Sequence, residues 1–288
     1  MNVDLNIIVF GSTGLMGTAF ETVCRKRSIS YVGMSHQDIE ITSMEMVNNV
    51  IERYNPDTII NCVAVPSIDP CEKDPELPLA LHCTAVLHLA KECAKRDILF
   101  VQPSTHAVFD GLKEEPYTED DQVKATNIYS ATKLLSERFV ATYCKKYYIP
   151  RFPTLYGLRQ NNSMGFVDKV ITWIREGRDM KIADDKMDSP TYSIDAAEVV
   201  ISLIVNNEPY GLYHVANNGC VSYYDFVIRI KELMNADNNI YRAKDSDFSS
   251  EIYKPLRTAL QSVKLKPIRS YEDALLDYVN TDVIGVSD

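Results

Sequence analysis

Short apolar runs alternate with longer amphipathic segments through roughly the first 150 residues of the chain. The apolar runs fall at 5–10, 29–34, 58–64, 98–102 and 148–156, and segments with helical spacing fall at 15–27, 44–54, 77–96 and 128–146. Strands that alternate with helices of this length indicate a parallel sheet. Because the runs are continuously apolar, the strands are expected to be buried on both faces. The sequence therefore predicts an α/β fold with a doubly wound, Rossmann-type sheet.

The pattern changes after about residue 155. Helical segments at 166–176, 194–205, 223–234 and 271–279 are separated by short strand candidates at 180–183 and 212–215 and by Asn-rich turns. We expect a smaller substrate-binding cap at the carboxyl edge of the sheet, where open α/β sheets bind ligands. The predicted division is a dinucleotide-binding domain over 1–157, a mainly cap region over 158–280 with some segments returning to the sheet, and a tail over 281–288.

The charge balance disfavours several classes of partner. With 30 Lys and Arg against 40 Asp and Glu, the net charge is −10, which is a poor match for nucleic acid or an anionic membrane surface. No apolar run approaches the ~20 residues that cross a bilayer, and no signal peptide is visible.

The seven cysteines include no C-x-x-C pair, and no cluster has metal-ligand spacing. We expect a cytoplasmic protein without a metal site.

Glycine is scarce overall and clustered at one place. Average usage would give about 20 glycines in a chain of this length, but there are 11, and three of them are Gly11, Gly14 and Gly17. The cluster lies between a predicted strand and a predicted helix, where backbone N–H groups can hold a pyrophosphate. The spacing is G-x-x-G-x-x-G, and a tight turn without a ligand is the alternative interpretation.

A second candidate site lies on the helix predicted at 128–146. Tyr129 and Lys133 are four residues apart and share a face. A lysine cation beside a phenol is expected to lower the phenol pKa and to favour proton transfer. The alternative is a pair that simply lines a helix surface. Ser104 and Thr105 follow the fourth strand, and either hydroxyl can hydrogen-bond a substrate oxygen beside Tyr129.

Taken in order along the chain, these features resemble the extended short-chain dehydrogenase/reductase superfamily. The finer matches are similar to the dTDP-4-dehydrorhamnose reductase family of nucleotide-sugar reductases. They are S-T-x-x-V-F-D-G at 104–111, N-x-Y-x-x-x-K at 127–133, R-x-x-x-L-Y-G at 151–157, S-P-T-Y at 189–192 and G-L-Y-H-V-A-N at 211–217. The resemblance covers nearly the whole chain.

The resemblance implies reduction of the 4-keto group of a nucleotide-linked 6-deoxysugar by NADPH or NADH. Tyr129 would donate the proton, Lys133 would tune it and hold the nicotinamide ribose, and Thr105 would hydrogen-bond the reacting oxygen. The implied cofactor-binding residues are Gly11, Thr13, Gly14, Leu15, Met16, Gly17, Glu40, Ile41, Cys62, Val63 and Ala64, with Tyr129 and Lys133. The implied substrate-binding residues are Ile68, Asp69, His106, Ala107, Thr154 and Lys254.

The end of the second predicted strand bears on the choice of cofactor. NAD-selective sites usually place a carboxylate there on the ribose 2′-hydroxyl. In this chain Ser35 and His36 come first, and no acid occurs until Asp38. Ser35 and His36 can contact a 2′-phosphate instead, so we expect NADPH, with NADH left open.

Several positions depart from the family's pattern where substrate contacts are implied. His106 replaces an acid, Ala107 an aromatic residue, Thr154 a tryptophan and His82 an asparagine. Losing two aromatic platforms removes stacking and burial, so we expect a substrate other than dTDP-4-dehydrorhamnose. Ordinary sequence drift is the alternative.

Two further functions on this scaffold stay open at this stage. One is a nucleotide-sugar epimerase or dehydratase that retains NAD, and the other is a non-catalytic, cofactor-binding regulatory subunit. The expected partner is a nucleotide sugar, with neither nucleic acid nor a membrane, and the default oligomer is a homodimer.

Overall fold

The first half of the chain builds most of a parallel β-sheet. The computed structural model describes residues 5–161, 163–248 and 252–283. The strands of this described part are β1 (Asn6–Phe10), β2 (Ser30–Met34), β3 (Thr58–Asn61), β4 (Leu99–Val101), β5 (Ser104–Thr105), β6 (Tyr147–Phe152), β7 (Leu155–Tyr156), β8 (Met180–Ala183), β9 (Met187–Asp188), β10 (Thr191–Tyr192), β11 (Gly211–His214), β12 (Val221–Ser222) and β13 (Ile240–Ala243).

Helices alternate with these strands. They are α1 (Leu15–Lys26), α2 (Met44–Tyr54), α3 (Ile68–Lys73), α4 (Glu76–Pro78), α5 (Ala85–Arg96), α6 (Ile128–Tyr143), α7 (Phe166–Arg175), α8 (Ser193–Val205), α9 (Tyr223–Leu233) and α10 (Tyr271–Asp277). Shorter turns are π-helical at Leu79–Thr84 and Tyr278–Val283 and 3-10 at His106–Val108 and Asp245–Asp247. The rest of the predicted tail, 284–288, lies outside the described residues.

Seven of the strands form one sheet. Its order is β11-β6-β4-β3-β1-β2, β5 also pairs with β6, and every pairing is parallel. The chain runs from β1 to β2 on one side and from β3 to β4 and β6 on the other. The carboxyl ends of β1 and β3 therefore flank a switch point of the kind at which open α/β sheets bind ligands.

Helices cover both faces of this sheet. Val9 of β1 packs with α1 and α8 on one face, and the next residue, Phe10, packs with α2 and α5 on the other. Both side chains are fully buried, and burial of such a side chain contributes roughly 1.5–3 kcal/mol. The predicted doubly wound parallel sheet is confirmed.

The second half of the chain builds a smaller layer. Helices α7, α9 and α10 share an apolar cluster that includes Ile171, Phe226 and Leu275. Around it β8 pairs with β13, β9 with β12, and β7 with β10. In contrast, α8 packs on α1 and β11 pairs with β6, so the chain returns to the sheet between residues 193 and 214. The predicted boundary at residue 157 stays a prediction.

Several predicted elements differ in extent from the structure, and three of them are informative. The 148–156 strand divides into β6 and β7 around Pro153, which has no N–H for a ladder. The 77–96 helix begins as α4 and a π-helical turn before α5. The 58–64 strand ends at Asn61, whose Oδ1 accepts the Val63 N–H at 3.2 Å and so forms a turn at the sheet edge.

Candidate active site

The connection from β1 into the first turn of α1 requires glycine at two positions. Gly11 has a φ of +75°, and a Cβ there would lie 2.9 Å from the Cys62 carbonyl carbon. A Cβ on Gly17 would lie 2.5 Å from Ser12 Cα. Gly14 differs, because its φ is −75° and a Cβ would be in ordinary contact with its neighbours. The loop therefore brings its backbone close to β3 and to the first turn of α1.

The N-terminus of α1 is open toward this loop. Gly14 is the N-cap without a side-chain hydrogen bond, and the first turn of α1, all of it described, has no acidic side chain. The first N–H groups of a helix lack partners within it, so they can bind an anion here. Thr13 contributes its carbonyl oxygen, which accepts the Gln160 and Asn161 N–H groups at 3.2 and 3.0 Å. Leu15 and Met16 begin the helix. The arrangement fits a pyrophosphate.

The residues after β2 are the candidates for the adenosine end of a dinucleotide. Ser35 donates to Asp38 Oδ2 from its backbone N at 2.8 Å and from its hydroxyl at 2.6 Å. These hydrogen bonds lower the pKa of Asp38. His36 and Glu40 are exposed, and Ile41 is buried in the core. Asp38 is therefore engaged by Ser35, which leaves His36 as the accessible candidate for a 2′-phosphate.

The segment after β3 passes along the glycine loop. Cys62, Val63 and Ala64 are each half-buried. Burial raises the pKa of Cys62 to about 12, with the Lys133 cation acting in the opposite direction. The thiol is therefore protonated and unreactive at neutral pH. These residues provide a wall at the switch point rather than a nucleophile.

Helix α6 begins at a strongly defined position. Asn127 caps it by accepting the Ser130 N–H at 2.9 Å, and Ser130 Oγ accepts the Asn127 N–H at 3.2 Å. Glu72 on α3 accepts the Ile128 N–H at 2.6 Å. This capping box and the extra carboxylate satisfy N–H groups that the helix leaves free. They fix the position of Tyr129 in the first turn.

The structure brings the three predicted catalytic residues together. Thr105, at the end of β5, lies beside Tyr129, and its hydroxyl acts to lower the pKa of the phenol. Lys133, one turn further along α6, is buried and donates to the Pro103 carbonyl at 2.6 Å. The two hydroxyl groups and the lysine therefore lie where β4 and β5 end against α6.

The predicted lowering of the Tyr129 pKa by Lys133 is wrong for this structure. Burial raises the pKa of Tyr129, and the Thr105 hydrogen bond acts in the opposite direction. Burial also lowers the pKa of Lys133 to about 8. The Lys133 ammonium donates to the Pro103 carbonyl. Removal of the Tyr129 phenol from water therefore has a larger effect on the Tyr129 pKa than the lysine charge has. Tyr129 is thus a protonated donor at neutral pH.

His82 supports this site in a way that the sequence did not indicate. Its Nε2 accepts the Val65 N–H at 2.9 Å, so its Nδ1–H donates to Thr132 Oγ1 at 2.9 Å. The ring also meets the Tyr129 ring edge to face, with 6.0 Å between centroids. Burial lowers the pKa of His82 to about 3. A neutral His82 therefore connects the segment after β3 to α6.

A buried ionic group holds β5 and β6 to α6. Glu137 accepts Arg151 Nε at 2.8 Å and Nη2 at 2.7 Å, and the Ser104 hydroxyl donates to Glu137 at 2.5 Å. All three side chains are buried. The partners are 14 and 33 residues apart in the chain, so no local pattern could have identified this group.

The first predicted substrate contacts meet across the opening of the site. Ile68 and Asp69 begin α3, and Lys254 reaches Asp69 Oδ2 with its Nζ at 2.7 Å. The cap segment around Lys254 is thereby tied to the segment after β3. A substrate that enters here would compete with this half-exposed ion pair.

The remaining predicted contacts line the turn after Thr105. Ala107 is buried and its N–H donates to Thr105 Oγ1 at 3.1 Å. His106 Nδ1 lies 3.7 Å from Asp188 Oδ1. The Thr154 hydroxyl shares a 2.9 Å hydrogen bond with that of Tyr223 on α9. His106 and Thr154 therefore add polar groups at this turn, where the sequence departs from the family's pattern.

Two other cavities, of about 420 and 280 Å³, border the 265–268 segment. Neither is lined by the predicted catalytic residues, so side-chain chemistry rather than cavity size defines the candidate site. Within the described ranges no three His, Cys, Asp or Glu side chains are grouped to hold a metal ion. Nor does any described helix have the length and apolarity needed to span a membrane.

The fold and the Tyr129–Lys133 pair place the protein in the short-chain dehydrogenase/reductase class. Within that class, the family model described as the RmlD substrate-binding domain matches residues 5–283. The chain belongs to this family, which confirms the predicted resemblance.

Individual relatives agree with this placement. The chain is 26% identical over 278 residues to the spore coat polysaccharide biosynthesis protein SpsK of Bacillus subtilis, covering 95% of this chain and 96% of SpsK. It is 28% identical over 275 residues to the dTDP-4-keto-6-deoxy-D-glucose reductase of Streptomyces niveus, covering 93% and 94%. The crystal structure of Bacillus anthracis dTDP-4-dehydrorhamnose reductase in complex with NADP superposes with a TM-score of 0.90 at 25% identity, covering 96% and 99%.

Proposed function

We infer that this protein is an NADPH-dependent reductase of the 4-keto group of a nucleotide-linked deoxysugar. The observation that carries the inference is the grouping of Thr105 and Tyr129, whose hydroxyls interact, with Lys133 one turn away, at the carboxyl edge of a dinucleotide-binding sheet. The functions for which the relatives are named, two of which are reductases of dTDP-4-keto sugars, support the same reaction.

The residues of the chain supply a proton and a binding frame. When bound, NADPH supplies a hydride to the carbonyl carbon. The Tyr129 hydroxyl gives its proton to the oxygen of the same carbonyl, so the ketone becomes an alcohol and NADP⁺ is released. The Thr105 hydroxyl hydrogen-bonds that oxygen as charge develops on it. Lys133, with a pKa of about 8, is largely cationic at neutral pH and would hold the nicotinamide ribose.

Residues of the site described above are assigned to the separate parts of NADPH. The backbone of 11–17 would hold the pyrophosphate, and His36 would contact the 2′-phosphate, because the Ser35 hydroxyl already donates to Asp38. Glu40 and Ile41 would border the adenine, and 62–64 would lie along the cofactor toward Tyr129. Loss of NADPH affinity in a His36→Ala variant, with NADH affinity unchanged, supports this placement, and equal effects on both cofactors contradict it.

The biological setting is part of the proposal. A reduced nucleotide sugar is an activated donor for glycan assembly, and SpsK is named for spore coat polysaccharide biosynthesis. We propose a role in polysaccharide biosynthesis, in the cytoplasm, as a homodimer. Light scattering of the purified protein tests the dimer, and cell fractionation tests the location.

The reaction is tested by NADPH oxidation with dTDP-, GDP-, UDP- and CDP-linked 4-keto-6-deoxysugars. We expect turnover on at least one of them, with about a hundredfold or greater loss in Tyr129→Phe, because general acid catalysis contributes roughly 10²–10⁴-fold. Tyr143→Phe is the matched control, since Tyr143 is an exposed residue of the same helix. Less than tenfold loss in Tyr129→Phe contradicts the role of Tyr129. Turnover without net NADPH consumption indicates an epimerase or dehydratase instead.

A further inference from the structure

Glu137 lies one helical turn beyond Lys133 on α6 and has no part in the reduction proposed above. Tyr129, Lys133 and Glu137 are spaced by four residues, so each is next to the following one on the same face of the helix. The Lys133 ammonium donates to the Pro103 carbonyl at 2.6 Å, and the Glu137 carboxylate accepts the hydroxyl of the next residue, Ser104, at 2.5 Å. Lysine and carboxylate are therefore buried against the same segment of the chain.

The position of the Glu137 carboxylate is fixed from two strands. Arg151 on β6 donates to it from Nε at 2.8 Å and from Nη2 at 2.7 Å, and Ser104 is the residue of β5 that pairs with Arg151 in the sheet. A two-point contact between a guanidinium and a carboxylate defines the orientation of both groups. Since arginine stays cationic, it holds Glu137 in the ionised form, next to Lys133.

Glu137 opposes the effect of burial on the lysine. Burial lowers the pKa of Lys133 to about 8, and Glu137 has the largest of the effects that act in the opposite direction. Burial raises the pKa of the neighbouring thiols and of the phenol, and it lowers that of the neighbouring imidazole, so these groups are neutral at neutral pH. They are Cys62, Cys71, Cys83, Tyr129 and His82. The Glu137 charge is therefore the main electrostatic support of the ammonium.

We propose that Glu137 is a positioning residue of the reduction, whose buried carboxylate, fixed by Arg151 and Ser104, keeps Lys133 as the ammonium that would hold the nicotinamide ribose. The proposal rests on the reductase function inferred above. The Pro103 carbonyl accepts a hydrogen bond but carries no net charge, and a buried cation is costly without a charged partner nearby. An ammonium also donates stronger hydrogen bonds than a neutral amine does. Loss of the carboxylate should therefore weaken the grip of Lys133 on a ribose.

The first test follows the titration of Lys133 in the protein without cofactor or substrate. The carbon-13 NMR signal of the side chain is recorded in lysine-labelled protein as the pH is raised, and Lys133→Met identifies that signal. In Glu137→Gln the titration midpoint should fall by about one pH unit or more, the effect of a nearby opposite charge. Glu137→Asp keeps the charge and should restore most of the wild-type midpoint. Glu92→Gln is the control, because Glu92 pairs with Arg96 on α5, and it should keep the wild-type midpoint.

A double variant separates the charge of Glu137 from its contribution to folding. Glu137→Gln alone leaves the buried Arg151 cation without its partner, which destabilises the fold. Glu137→Gln combined with Arg151→Met leaves no member of this ion pair buried alone, so it keeps the test available if the single variant does not fold. The charges with the largest effects on Lys133 do not include that of Arg151, so the midpoint should still fall. A wild-type midpoint in the double variant overturns the proposal.

The second test is the pH dependence of kcat/KM for the sugar nucleotide that the wild-type enzyme reduces fastest. The alkaline side of this profile should move to lower pH in the double variant, by about as much as the Lys133 midpoint moves. A profile that stays in place while the midpoint moves also overturns the proposal, because Lys133 would then act in the reaction without help from Glu137. Absence of turnover by the wild-type enzyme refutes the reductase function itself, whereas the NMR titration still tests the effect of Glu137 on Lys133.

Discussion

The glycine loop yields a prediction that separates two glycines of the same motif. A Cβ on Gly17 would overlap the Gly11 carbonyl oxygen and lie 2.5 Å from Ser12 Cα and from Ser12 O. All of these atoms belong to the main chain, so no side chain can rotate away. A Cβ on Gly14 would meet Gly11 O at 3.4 Å, and its φ of −75° is open to alanine. Gly17→Ala should therefore be damaging and Gly14→Ala tolerated.

The expected magnitude follows from opposing effects. Overpacking typically costs about 1–3 kcal/mol, and contact between main-chain atoms places Gly17→Ala at the upper end. Replacing a helical glycine by alanine returns about 1 kcal/mol. The net loss is about 2 kcal/mol in the free energy of unfolding. At Gly14 the effects are small and of opposite sign, since a less flexible unfolded chain favours alanine and the N-cap position favours glycine.

Urea denaturation and NADPH titration check this reasoning. Gly17→Ala should lower the denaturation midpoint without changing the slope, and NADPH affinity should fall because the start of α1 moves. Gly14→Ala should remain within about 1 kcal/mol of the wild type, the range set by those small opposing effects. If Gly17→Ala is as stable as the wild type and binds NADPH equally well, the argument from close backbone approach is refuted.

The remaining predictions concern the buried groups around α6. Glu137→Gln should lower the free energy of unfolding by roughly 3–5 kcal/mol, because it leaves the Arg151 cation without its buried partner, and thermal or urea denaturation measures this. His82 has its pKa lowered from 6.5 to about 3, so the unfolded chain binds the extra proton and stability should fall as the pH drops below 6.5. This pH dependence of stability should be weaker in His82→Phe. Equal pH dependence in the wild type and in the variant argues against a lowered His82 pKa. The Lys133 pKa is lowered from 10.5 to about 8, so the free energy of unfolding should rise as the pH increases from about 8 to 10.5. Lys133→Met should remove that rise and abolish turnover, and retained turnover contradicts the role of Lys133.

Much of the local structure could be predicted because its determinants are local. Helix α2 matches its predicted range at both ends, since the Ser43 hydroxyl caps its start and Asn55, in the left-handed region, ends it. Strand β8 also matches its predicted range. Elements without such signals differed, as at Asn61 and Pro153, where a side-chain turn and a missing N–H divide what looked like one strand.

The candidate site shows the same distinction. The spacing of Tyr129 and Lys133 and the glycine cluster were sufficient to predict a proton donor and a phosphate loop. The direction of the Tyr129 pKa was wrong, because burial depends on what the whole fold packs around a residue. Asp188 has no local signal in the sequence because its neighbour His106 is distant in the chain, and His82 differs in the sequence only as a departure from the family's pattern.

The sequence by itself therefore determined the succession of strands and helices, the phosphate loop and the Tyr129–Lys133 pair, all of which depend on neighbours within a few residues. The tertiary structure alone decided which buried groups surround that pair. Glu137 with Arg151, His82 with Val65, and Asp188 with His106 are brought together by the parallel sheet and its cap. Their charge states follow from exclusion of water, a property of the packed fold that no short segment of the chain carries.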